Sequence, residues 1–208
     1  MALSKSTGAG RTPAPETPAR FPGPQAWHAW LQRHHATSPG VWLALAKKGS
    51  GVPSVTYAQA IEVALAWGWI DGQKQKLSDE AWLQRFTPRT ARSPWSKINR
   101  GKAAALIESG KMEAPGLAEV ERARRDGRWD AAYDSAKVAS VPRDLEDALA
   151  ANSRAAAFFE GIDAANRYAV LWRVQTAKRP ETRAKRIALY VAMCERGETL
   201  HSPKKKRS

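Results

Sequence analysis

Hydrophobic positions along this chain follow two different periods, helical and strand-like segments together before Pro94 and helical ones alone after it. From Pro24 to about His34, residues Trp27, Trp30 and Leu31 recur at helical spacing behind a first-turn proline, so the pattern predicts a helix. Residues 41–48 form a short apolar run that ends in the turn K-K-G-S-G, which predicts a strand. Thr56-Tyr57-Ala58-Gln59 has the spacing of a capping box, in which Thr and Gln each satisfy the other's backbone N–H. The helix it opens, to about Trp67, is apolar almost all round, with Ile61, Ala64 and Leu65 on one face, and is therefore buried. Gly68 stops it. Residues 69–77 and 81–86, joined by S-D-E, predict two more strands. With residues 41–48 they make a small antiparallel sheet over about residues 41–86.

Beyond Pro94 the punctuation is helical throughout. Ser93 and Pro94 supply an N-cap and first-turn pair for a helix to about Ser109, with Trp95 and Ile98 facing inward and Gly110 as its stop. A second helix covers 114–125 and breaks at Gly127. Residues 129–140 read as an irregular crossing segment anchored by Trp129 and Tyr133. Helices follow at 143–151, 154–160, 164–178 and 180–196, with Asp163 capping the third and Gly197 closing the last. The expected fold class is α+β, mostly α: a small sheet packed on helices, followed by an all-helical C-terminal half. The expected organisation is a disordered tail at 1–20, a Trp-rich α+β core at 21–140, a helical region at 141–200 packed on it, and a basic tail at 201–208.

Composition adds a charge and a compartment. The 208 residues carry a formal net charge of +14, which attracts anionic partners without specifying one. The single cysteine, Cys194, excludes an internal disulfide and reads as a small buried apolar residue. No secretory signal and no apolar stretch near the ~18 residues of a membrane span is present, so a cytoplasmic location is expected.

Chemistry concentrates between Trp67 and Asn99, where tryptophans alternate with cations and no acid occurs between Ala81 and Ile107. Flat rings beside fixed cations suit an anionic or planar partner. The candidate ligand-binding set is Trp69, Asp71, Gln73, Lys74, Arg85, Arg89, Trp95 and Asn99. Asp71 is the one carboxylate of the set, positioned to orient Arg85 or Lys74 or, as a weak catalytic candidate, to act as a base. Tyr57 and Tyr133 are possible proton donors with no base assigned to them. A second basic cluster, Arg167, Arg173, Lys178, Arg179, Arg183, Lys185 and Arg186, marks a nucleic-acid alternative. His28, His34 and His35 have the wrong spacing for one metal-binding helical face, and no cofactor or metal is called for.

W-G-W-I-D-G-Q-K, L-Q-R-F-T-P-R, S-P-W-S-K-I-N, G-R-W-D-A-A-Y-D and A-K-R-P-E-T-R-A-K-R-I together resemble the bacterial YdeI/OmpD-associated family, some members of which are labelled bacteriocin-protection proteins. The resemblance spans about residues 21–200. It implies a role in antimicrobial-peptide resistance and association with an outer-membrane porin, with no defined reaction. The expected function is a non-enzymatic ligand- or partner-binding domain linked to stress and bacteriocin resistance, monomeric, with a cationic aromatic pocket for an anionic small molecule or protein partner. The alternatives are a nucleic-acid-binding accessory protein and an enzyme on a small anionic substrate with Asp71 as base.

Overall fold

The computed structural model describes residues 18–202, so the two expected tails lie outside the described residues except at 18–20 and 201–202. Eight helices and one three-stranded antiparallel sheet are present among them, with every strand before Pro94. No helix of the described residues is long and apolar enough to cross a membrane. The described residues separate into two compact units, residues 18–90 with 105–120, and residues 91–104 with 121–202.

The first unit holds α1 (Pro24–His34), β1 (Val41–Ala46), α2 (Tyr57–Ala66), β2 (Trp69–Lys76) and β3 (Ala81–Pro88). The strand order is β1-β3-β2, so β3 is central and Trp42 lies opposite Arg85 in the register. The alternation places Trp69 and Phe86 where Trp27 packs against both, at ring-centre distances of 6.3 and 5.7 Å. Trp27 also stacks on Trp30 at 5.3 Å and donates its indole N–H to Ala60 O, which ties α1 to α2. Both halves of the Thr56 capping box form. The β2–β3 register slips between Asp71 and Lys74, and the side-chain amide of Gln84 donates to the carbonyls of Gly72 and Gln73 at this irregularity. A buried polar residue on the central strand thus has a defined task, because unpaired carbonyls there would be costly.

Two further helices, α3 (Lys97–Glu108) and α4 (Ala114–Arg125), each begin in one unit and end in the other. In the first unit, α4 starts against the end of α2, where Glu113 N–H donates to Ala66 O. Gly116 is needed there: a β-carbon at this position would lie 2.1 Å from Ala66 O. At Gly68 the chain leaves α2 with φ +73, a conformation favouring glycine.

In the second unit the start of α3 differs from expectation. The helix begins at Lys97, and Ser96 rather than Ser93 accepts from Asn99 N–H at 3.1 Å. The reason is a parallel bridge between Ser96 and Tyr133, in which Lys97 N–H donates to Tyr133 O and Tyr133 N–H donates to Trp95 O. These bonds hold residues 95–97 extended and delay the helix by one turn. Ile98, expected to face inward, is 54% exposed, while Trp95 is buried.

After the crossing segment come α5 (Arg143–Ala150), α6 (Ser153–Gly161), α7 (Ala164–Gln175) and α8 (Pro180–Glu195). Leu145, Phe159, Val170, Val174, Ile187 and Cys194 form their common core. Asp163 caps α7 through Ala165 N–H and Asn166 N–H, as its position predicts. α7 stops at Gln175 rather than near residue 178. Thr176 Oγ1 donates back to Trp172 O, and Arg183 and Arg186 from α8 donate to Val174 O and Arg173 O, which satisfies the last carbonyls.

Two measurements check this fold. Gly116→Ala should destabilise the protein by about 2 kcal/mol or more through overpacking. Gly101→Ala, inside α3 with nothing near its added carbon, should be neutral or stabilising by up to ~1 kcal/mol. Equal melting temperatures for the two variants would contradict the α2–α4 packing.

The second measurement is pH dependence. The Arg183 hydrogen bonds hold the Asp144 carboxyl below its ordinary value, and hydrogen bonds from the Asn166 side chain and backbone do the same for Asp163. A carboxyl depressed in the folded state stabilises the protein above its unfolded pKa near ~3.9 and loses that contribution as pH falls through the folded value. Melting temperature should therefore hold between pH ~7 and ~5 and fall below pH ~4, with a shallower acid limb in Asp144→Asn. An unchanged acid limb in that variant would refute the assignment.

Candidate functional site: a cationic cleft beside Trp95

The structure distributes the sequence-predicted ligand residues over both units. Trp69 is a core residue whose indole N–H donates to His35 O at 3.3 Å. Asp71 accepts from the Tyr57 hydroxyl at 2.8 Å, so its partner is Tyr57 and not Arg85 or Lys74. Gln73 and Lys74 are exposed on β2, along an open concavity of about 550 Å³. The Lys74 ammonium sits 4.8 Å from the Trp82 ring centre, and the Arg85 guanidinium lies over Trp42 at 5.7 Å. Arg89 is buried, its backbone N–H donating to Gly68 O. Trp95 and Asn99 belong to the second unit.

Trp95 is where the second unit gathers cationic and aromatic groups. Side chains from three segments, among them Arg92, Trp95, Asp126, Arg128, Gln175 and Lys178, line a cleft of about 360 Å³. Trp129 meets the buried Trp95 ring edge-on at 5.1 Å. Arg128, itself buried, donates to Ser93 O at 2.9 Å and grips the Asp126 carboxylate through Nε at 2.8 Å to each oxygen. Behind this wall Arg100 donates to Trp129 O, and Lys97 pairs with Asp134 at 2.8 Å. Gln175 directs its side-chain amide N–H to the other Asp134 oxygen at 3.4 Å, while its buried Oε1 has no hydrogen-bond partner.

Three cations, Arg92, Arg128 and Lys178, line the cleft against one carboxylate, Asp126. The hydrogen bond from Arg128 holds that carboxyl below its ordinary value, and the Lys178 charge acts in the same direction. Asp126 is therefore a fixed counter-ion to Arg128 and a poor proton acceptor at neutral pH. Arg92 and Lys178 stand exposed at the mouth. The C-terminal end of α7 would bring negative dipole character to this rim, but Arg183 and Arg186 sit on its last carbonyls and offset it. The arrangement suits retention of a small anion.

Sequence reasoning selected Trp95 and Lys178 but placed them in different sets, and it left out Arg92, Asp126, Arg128 and Gln175. The G-R-W-D block containing Arg128 was the available signal. The basic cluster of α7 and α8 is largely engaged within the fold. Arg167 lies over Phe159 at 4.7 Å, Arg173 donates to Ala169 O, Arg183 pairs bidentately with Asp144, and Arg186 donates to Arg173 O. Lys178, Arg179 and Lys185 are exposed. His28 pairs with Glu113 at 3.0 Å, and among the described residues no three His, Cys, Asp or Glu side chains group around a possible metal position.

Comparison with known proteins divides the chain differently. Residues 19–119 match a family model described as a domain of unknown function (DUF8412). No curated protein and no solved structure matches the chain. The Trp-rich blocks between residues 67 and 99 fall in that first match. The A-K-R-P-E-T-R-A-K-R-I block, which includes the Lys178 lip of the cleft, falls in a second one. There, residues 138–197 match the family model described as Bacteriocin-protection, YdeI or OmpD-Associated.

Proposed function

We propose that this chain is a binding protein for a small anion, that the cleft beside Trp95 is its site, and that binding there serves defence against bacteriocins or related stress in the cytoplasm. The observation that carries the reading is the pairing of roles at the cleft. Arg128 and Asp126 neutralise each other in the wall, while Arg92 and Lys178 remain exposed over a buried aromatic floor. A cleft of this volume is of small-molecule size. The link to defence rests on the match of residues 138–197 to the bacteriocin-protection model, and the ligand chemistry rests on the cleft alone. The nucleic-acid alternative loses support because four of its seven basic side chains already hold α6, α7 and α8 together or cap their carbonyls.

Titration calorimetry with inorganic phosphate and with small phosphorylated compounds tests the reading. Arg92→Ala and Lys178→Ala should each weaken binding roughly five- to tenfold at low salt, the loss of about one exposed charge contact, and Lys178→Ala should leave the melting temperature nearly unchanged. Arg128→Ala should instead lower the melting temperature, because it removes the wall's hydrogen bonds to Ser93 and Asp126. Affinity untouched by both Arg92→Ala and Lys178→Ala would overturn the assignment.

A further inference from the structure

The Gln175 amide makes the cleft more selective than its charge alone. Its N–H end faces Asp134, and Asp134 is in turn held by Lys97. An amide nitrogen beside a carboxylate fixes which end is which, since the flipped amide would set oxygen against oxygen. The remaining end, Oε1, is a buried acceptor without a donor, on a residue that lines the cleft. Buried acceptors are nearly always satisfied, so one left without a protein donor is available to a donor on a bound group. Thr176, the next residue in the lining, has its hydroxyl committed to Trp172 O and does not compete.

Resting on the anion-binding reading above, we infer that the site takes an anion carrying a hydroxyl or N–H donor near its charged group, of the polyol phosphate or hydroxy acid class. Arg92 and Lys178 hold the anion, Gln175 Oε1 accepts from the neighbouring hydroxyl, and Asp134 with Lys97 positions that acceptor. A site built around an acceptor discriminates against a ligand that leaves it unpaired more sharply than an apolar pocket discriminates by size.

Glycerol phosphate and propyl phosphate test this directly, since they match in charge and length and differ in their hydroxyls. The wild-type protein should bind glycerol phosphate about tenfold more tightly, the yield of one net hydrogen bond. Gln175→Met, which keeps the side chain's length and removes the acceptor, should bring the two affinities together while sparing propyl phosphate. Asp134→Asn should narrow the gap in the same direction, because it frees the amide to flip. Lys178→Ala should weaken both ligands equally. Equal affinities in the wild type, or a gap that survives Gln175→Met, would overturn the donor requirement and leave the anion site standing. Failure of both ligands to bind, or indifference of both to Lys178→Ala, would overturn the anion site and this inference with it.

Discussion

The short parallel bridge between Ser96 and Tyr133 is the constraint on which the second unit's site depends. Its backbone bonds hold residues 95–97 extended, bury the Trp95 ring against Trp129, and bring Lys97 to Asp134. Arg128 then reaches Ser93 O from the opposite segment, which closes the wall. Two segments more than thirty residues apart are joined by backbone bonds, a ring contact, a guanidinium and an ion pair. Interactions so linked support one another, because each holds the geometry that the others need.

Charge is handled in two ways around this wall. Where a cation is buried, as at Arg128, the fold supplies a carboxylate held ionised beside it. Elsewhere arginines act as helix caps, with Arg183 and Arg186 covering the end of α7. The strong basic excess of the chain is therefore a poor guide to function when read as a sum. What matters is which cations keep solvent-facing positions at a concave surface, and Lys178 and Arg92 do.

Local signals made much of the fold legible. Pro24, the Thr56 capping box, Asp163 and Gly197 each mark an element boundary close to where the structure has it, because caps and stops are satisfied by residues only a few positions away. The start of α3 is not legible locally, since Ser93-Pro94 and Ser96 are both plausible caps and only the distant Tyr133 decides between them. The site was less legible for the same reason. Trp69 and Arg89 belong to a run in which rings and cations alternate in sequence, yet both are buried, Trp69 on β2 and Arg89 just past the end of β3. Asp71 has Arg85 and Lys74 as its candidate partners in sequence, whereas its partner in the structure, Tyr57, lies on α2. The cleft combines segments at 92–95, 126–131 and 175–178, and no periodicity within one segment announces the other two.

The most direct test of the cleft as the anion site is a two-dimensional amide NMR titration of the chain with inorganic phosphate. Shifts concentrated at residues 92–95, 126–131 and 175–178, saturating together, are the predicted result. Shifts concentrated instead at Gln73, Lys74 and Arg85, or spread without saturation over the exposed lysines and arginines, would contradict it.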